Sequence, residues 1–176
     1  LSRRQRQMCI RDRTYIMKEE LSTKTRTESD LIGSREIPES AMYGVQTLRG
    51  IENFRISKFH LNEYPLFINA LAITKMGAAI ANSELGLLTG QQTDAILKAC
   101  KEILEGKHHE QFPVDMIQGG AGTTTNMNAN EVIANRALEI MGHKRGEYQY
   151  CSPNDHVNRS QSTNDAVSYT HLRAHE

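Results

Sequence analysis

Gln118-Gly-Gly-Ala-Gly-Thr-Thr-Thr-Asn-Met-Asn-Ala-Asn-Glu-Val132 is the stretch on which the reading of this chain turns. Gly119, Gly120 and Gly122 permit backbone conformations that residues with side chains resist. A threonine run follows, then apolar residues at helical spacing, so a glycine turn feeds the start of a helix. Unpaired N–H groups and the positive end of the helix dipole collect at such a start, a place suited to a carboxylate or phosphate. A capped loop between helices is the plainer reading of the glycines alone. A second polar cluster about forty residues on, Ser162-Thr163-Asn164-Asp165, shifts the balance towards a site.

Working outward, the helix after the turn is expected over about 124–141, with Met127, Val132, Ala137, Leu138 and Met141 inward and Gly142 as its C-terminal stop. Asn126, Asn128 and Asn130 are poor helix formers and stand in its first two turns, which suggests that this end bonds something polar. Upstream, one long helix is expected from Leu66 to about Leu87, its core stripe formed by Ile68, Leu71, Ala72, Met76, Ala79, Ile80 and Leu85. The small residues Gly77, Ala78 and Ala79 would let another helix approach. Thr89 and Gln92 have the spacing of a capping box and open a helix carrying Ile96, Leu97, Cys100, Ile103 and Leu104. Cys100 on that stripe reads as a small core residue. His108 and His109 are adjacent, do not face one another on a helix, and read as a solvated loop.

Towards the N-terminus, Val45, Leu48, Ile51 and Phe54 suggest a short amphipathic helix interrupted by Gly44 and Gly50. From Met17 to about Gly33 the chain is polar and without apolar periodicity, Ser34–Ser40 is irregular around Pro38, and no strand-like alternation is long enough to build a sheet. The fold class expected is mainly α, helices with long ordered loops.

At 176 residues the chain is sized for one domain with a substantial core, and 38% hydrophobic against 24% charged residues is a globular balance. The longest apolar run, Met76–Ala81, is far short of the roughly 20 residues of a membrane helix. Cys9, Cys100 and Cys151 are scattered without CxxC spacing, against a disulfide framework or zinc site and in keeping with a reducing cytoplasm. The net charge of zero conceals five arginines and one acid in residues 1–16, against 15 Lys+Arg and 19 Asp+Glu in 17–166. Such an arm alone would be the basis for a nucleic-acid role, and it carries no other recognition pattern. Met17 offers a natural start, while Met8–Arg13 and 167–176 resemble translated adapter sequence. Residues 1–16 and 167–176 are therefore read as non-native extensions of a domain spanning 17–166.

Among 118–165, the hydroxyls and amides of Thr123, Ser162, Thr163 and Asn164 donate hydrogen bonds without carrying charge. Neutral donors at helix starts suit a negative charge that grows during reaction, and one well-aimed donor contributes about 3–4 kcal/mol to a transition state. No Ser-His-Asp set, metal cage or GxxxxGK[ST] loop can be singled out. A small acidic substrate and a stabilised carbanion are one possibility at this point.

Gln111-Phe-Pro-Val-Asp115, Gln118–Thr123, Asn126–Asn135, Pro153-Asn-Asp-His-Val-Asn158 and Gln161-Ser-Thr-Asn-Asp165 together resemble the aspartase/fumarase superfamily, and Gly33–Pro38 with Tyr43–Arg49 fit its opening. The resemblance covers about 27–166. Ala121, where hydratases usually carry serine, and Ser162-Thr163, where they usually read Ser-Ser, bring it nearer the aspartase branch. It implies the N-terminal domain of that fold, with the central helix-bundle domain missing from this chain. It further implies reversible deamination of L-aspartate to fumarate and ammonia through an aci-carboxylate, without an organic cofactor, in a homotetramer; the cysteines and composition add the expectation of a cytoplasmic protein with no metal, membrane or nucleic-acid partner. Carried over by position, Thr123, Ser162 and Thr163 bind the β-carboxylate and Asn164 the amino group. The serine base belongs to a loop this chain does not contain, so the chain alone is expected to be inactive. The alternatives are the corresponding domain of a fumarate hydratase and a non-catalytic helical binding or assembly module.

Overall fold

The computed structural model describes residues 24–119 and 122–162. A hairpin of β1 (Thr25–Asp30) and β2 (Gly33–Pro38) leads into α1 (Val45–Asn53), α2 (Pro65–Glu84), α3 (Gly90–Leu104) and α4 (Thr123–Ile140). Single turns of 3-10 helix at Leu61–Glu63 and His109–Gln111 and a π-helical turn at Pro153–Val157 punctuate the loops. Mainly α is the correct class. The hairpin is a correction, because the expectation of no sheet weighed only apolar alternation. Here the period of two is carried by polar residues, Arg26, Glu28 and Asp30 on one face and Thr25, Thr27 and Ser29 on the other. The antiparallel register runs from Thr25 opposite Pro38 to Asp30 opposite Gly33.

That polar face docks on α1. The Arg26 guanidinium donates to the carbonyls of Ala41 (2.6 Å) and Tyr43 (2.7 Å). Asp30 takes a two-pronged bond from Arg49 at 2.8 Å in each arm, and that bond holds its carboxyl below the ordinary carboxylate range. Glu28 accepts from Val45 N (3.1 Å) and the Tyr148 hydroxyl (2.9 Å).

Helices α2, α3 and α4 pack into one layered core around Ile68, Leu71, Ala72, Ile96, Ala99, Cys100, Ile103, Val132, Ile133 and Leu138, all at most 2% exposed. Pro65 opens α2 at its first position, where the missing N–H is no loss. Thr89 and Gln92 do form the capping box of α3, with Gln92 N donating to the Thr89 hydroxyl at 3.3 Å and Thr89 N to Gln92 Oε1 at 3.1 Å. Gly142 takes a φ of +85° just past α4, and His143 N closes back on the Leu138 carbonyl at 2.9 Å. Cys100 and Cys151 are wholly buried free thiols, and burial pushes both up to about 12.

Three expectations need correcting. Gly50 does not interrupt α1, which runs through it. A Cβ there would sit 2.3 Å from Thr124 Cγ2, so the glycine is where α1 crosses the start of α4. His108 and His109 are tied back to α3 by Glu102 (3.1 Å) and the Ile103 carbonyl (2.8 Å) instead of being solvated. On α2 the inward stripe stops short: Ile80 is 45% and Leu85 72% exposed, Gly77 meets nothing, and Ile73 and Leu66 complete an outward apolar line. Helix α4 is buried on nearly every face, polar residues included, so the open apolar surface belongs to α2. By length and composition alone α2 would also pass as a membrane span, longer than the run of 76–81 suggested. A third of that span is buried in this fold, and it carries the fully buried Lys75.

Candidate active site

The candidate site begins at the start of α4. Gly122 precedes it with a left-handed φ of +69°, the conformation for which the glycine was needed. Thr123 is the first helical residue and is exposed, while Thr124 packs on Gly50. Gly122 has no side chain to cap this end, and the cap comes from Gln118 instead. Thr125 is buried and fixes the turn from within: Gln118 Nε2 donates to its hydroxyl at 2.6 Å and Thr125 N donates to Gln118 Oε1 at 2.8 Å. Gly120 and Ala121 fall outside the described residues.

The asparagines of the first turns do bond polar groups, but inside the fold. Asn126 Oδ1 accepts from Lys75 Nζ at 2.7 Å and its Nδ2 donates to Asn158 Oδ1 at 3.2 Å. Asn128 Nδ2 donates to the Gln111 carbonyl at 3.0 Å, and Asn130 Nδ2 lies 3.6 Å from Met127 Sδ.

The second polar motif enters along the loop after the π-helical turn. Ser152 caps that turn by accepting from Asp155 N at 3.1 Å, and Ser152 N donates to His156 Nδ1 at 2.7 Å. The Ser152 N–H makes that nitrogen the acceptor, and burial lowers the His156 pKa. Asn158 and Gln161 then turn their side-chain oxygens to Lys75, each at 2.9 Å, and Asn82 Nδ2 holds the Arg159 carbonyl at 2.9 Å. Ser160 takes the left-handed φ of +59°, so the loop bends sharply before it reaches Ser162. Asn126 is one turn beyond Thr123, and Gln161 is next to exposed Ser162. The network therefore gathers the loop through Asn158 and Gln161 and the first turns of α4 around the middle of α2. Thr163 and Asn164 lie outside the described residues.

Two carboxylates that composition alone leaves undistinguished organise the surroundings. Glu131, 2% exposed on α4, accepts from Gly44 N (2.8 Å), Gln46 N (2.8 Å), Thr47 N (3.0 Å) and the Thr47 hydroxyl (2.6 Å). It thereby caps α1 from 84 or more residues away, and burial, outweighing these donors, raises its pKa. A Cβ on Gly44 would lie 2.6 Å from Glu28 Oε2 and 2.8 Å from Glu131 Cδ, so only glycine admits both acids at this helix start. Asp115 accepts from Ile56 N, Ser57 N, Ser57 Oγ and Ile117 N at 2.7–2.9 Å. Burial opposes its charge, yet the donors prevail and bring its pKa down to about 2. The sequence hint for Glu131 was an acid inside an apolar helix stripe. For Lys75 it was a lone cation between Leu71 and Ala79, the place where only a satisfied charge is tolerated.

Among the described residues no group of three or more His, Cys, Asp or Glu side chains could hold a metal ion. What remains is a helix start with the exposed Thr123 and, one turn on, Asn126 bonded to a buried ammonium. An arrangement of that kind is suited to small carboxylates.

The family described as Lyase matches residues 33–174, which places the chain in a lyase class. The chain belongs to that family, within the aspartase/fumarase superfamily. It is 60% identical over 141 residues to the aspartate ammonia-lyase of Helicobacter pylori strain J99, covering 80% of this chain and 30% of that protein. It is 54% identical over 147 residues to the aspartate ammonia-lyase of Escherichia coli K12, covering 83% and 31%. Among solved structures, a fumarate lyase:delta crystallin from Brucella melitensis superposes with a TM-score of 0.82 at 53% identity, covering 84% of this chain and 34% of that one. A class II fumarase from Schistosoma mansoni reaches 0.74 at 37% identity, covering 80% and 29%. The chain spans about a third of the length of these relatives.

Proposed function

We propose that this chain is the N-terminal part of an aspartate ammonia-lyase and supplies one wall of its dicarboxylate site. The observation that carries the reading is the 54–60% identity to aspartate ammonia-lyases over 141–147 residues. Identity to the solved class II fumarase is lower, at 37%, which places the hydratase reading second.

In the proposed reaction a base removes a proton from the β-carbon of L-aspartate. The electron pair moves into the β-carboxylate as an aci-carboxylate, then returns to form the double bond as the C–N bond breaks, releasing ammonia and fumarate. Thr123, Ser162 and Thr163 donate to the β-carboxylate, and Asn164 holds the amino group. Neutral donors bind the ground-state carboxylate modestly and gain strength as a second negative charge develops, so their contribution falls mainly on the rate. The base comes from a serine loop beyond this chain, and the chain by itself turns nothing over. The whole protein, on the same reading, is a cytoplasmic homotetramer, in keeping with the two buried, unpaired cysteines.

The test is a chimera in which residues of this chain replace the matching 141 residues of the Helicobacter pylori enzyme. Ammonia release from aspartate without hydration of fumarate to malate is expected, and Thr123→Val in that chimera should lower kcat by about 100-fold. A chimera that assembles and converts fumarate to malate, or ignores both acids, refutes the assignment.

A further inference from the structure

We infer that Lys75 is a positioning residue for the dicarboxylate site: its buried ammonium draws together the amide oxygens of Asn126, Asn158 and Gln161 and so sets the approach to Ser162. The inference rests on the function proposed above and adds to it a residue that lies on neither polar motif.

Lys75 is 0% exposed in the middle of α2, the largest wholly buried side chain among the described residues. A buried lysine is tolerated only where its charge is solvated by other means. Its Nζ lies 2.7 Å from Asn126 Oδ1, 2.9 Å from Asn158 Oδ1 and 2.9 Å from Gln161 Oε1. An ammonium is donor only, so each amide must present its oxygen inward and its NH2 outward. The outward groups then build the loop. Asn126 Nδ2 donates to Asn158 Oδ1 (3.2 Å), Asn158 Nδ2 to the Gln161 carbonyl (3.1 Å) and Gln161 Nε2 to the Val157 carbonyl (2.9 Å). One charge on α2 thus decides the orientation of three amides on two other segments. Through them it fixes the sharp bend at Ser160 and the residue next to Ser162.

A second consequence is electrostatic. The cation lies one hydrogen bond from Asn126, one turn beyond Thr123 on α4, where it adds positive potential for a doubly charged acid. Charge-assisted hydrogen bonds exceed neutral ones about twofold, and an uncharged side chain of equal length takes the ammonium donor from Asn126 Oδ1 and Gln161 Oε1 and leaves Asn158 Oδ1 with the Asn126 amide alone.

The test uses the 15N-labelled 176-residue chain with Lys75→Met and Lys75→Arg. Heteronuclear NOEs at Asn158, Arg159 and Ser162 report loop order, those at Ile96 and Ile103 report the core, and a fumarate titration followed at Thr123 and Ser162 gives affinity. In Lys75→Met the NOEs at 158–162 should fall while the core values hold, and fumarate should bind about tenfold more weakly. Lys75→Arg should bring the affinity back to within about threefold of wild type. A lysine that merely filled space would lower the melting temperature without an arginine-rescued change in affinity. Unchanged NOEs at 158–162 in Lys75→Met overturn the inference. Should that variant not fold, Gln161→Ala, which removes one acceptor at the partly exposed end, carries the test: a loop as ordered and an affinity as high as in wild type would overturn it. Absence of any fumarate shift at Thr123 and Ser162 in the wild-type chain counts against the proposed function instead, and the NOEs then decide the role of Lys75 alone.

Discussion

Replacing Glu131 tests how the two ends of the sequence are held together. Its carboxylate is the cap of α1, receiving three backbone N–H groups and the Thr47 hydroxyl while itself 2% exposed. Glu131→Ala leaves four buried donors without their acceptor. An unpaired buried donor costs about 1–3 kcal/mol, water entering the vacated space re-partners some of them, and the cost of keeping a carboxylate dry is relieved. Breaking one side of such a buried charged set amounts to about 3–5 kcal/mol net. Glu131→Gln keeps the shape and one oxygen. That oxygen can serve Gly44 and Thr47, leaving an NH2 against the Gln46 N–H, a single lost bond of about 1–2 kcal/mol. Since burial already disfavours the charge at this site, neutralising it returns part of that loss. In a domain of this size 1 kcal/mol shifts the melting temperature by about 2–4 °C, so alanine should lower it by roughly 6–20 °C and glutamine by far less. Calorimetry with urea titration on wild type and both variants measures this. Equal losses in alanine and glutamine, or a loss below about 1 kcal/mol in alanine, would refute the capping account.

Four further outcomes are expected. Gly50→Ala should destabilise by about 1–3 kcal/mol despite the better helix propensity of alanine, because its Cβ meets Thr124 Cγ2 at 2.3 Å; adding Thr124→Ser, which deletes that methyl, should recover most of the loss in a urea titration. Asp115 and Glu102 titrate at about 2 in the folded chain, Glu102 through its bond from Arg136. Both values lie below the unfolded ones, so their stabilisation is complete above about pH 5 and is lost as pH falls from about 4 towards 2; Asp115→Asn should flatten the melting-temperature curve in that window. Gly142→Ala, at a φ of +85°, should cost about 1 kcal/mol in the same assay. Cys100 and Cys151, buried and pushed up to about 12, should resist iodoacetamide at pH 8 in the native chain and react on unfolding, as read by peptide mass mapping.

Helices α2, α3 and α4 were legible because each carries an apolar stripe at helical spacing and a stop or start signal of its own: Pro65, the Thr89/Gln92 box and Gly142. The site was legible as a pattern, the glycine turn before Thr123 and the polar run from Ser162. The hairpin was not, because its alternation is written in Arg26, Glu28 and Asp30, and a charged residue reveals its inward face only once Tyr43, Val45 and Arg49 are there to receive it. Gly44 and Gly50 looked like helix breakers, when each is a point of close approach to a partner far along the chain.

By itself the sequence determined the helical class and the places where helices start and stop, since those depend on neighbours within a few residues. Only the tertiary structure decided that Lys75, Glu131 and Asp115 are organising charges and that the open apolar face lies on α2. The reason is physical: the free energy of a buried charge depends on donors and acceptors 50 to 90 residues away, and no local pattern records them.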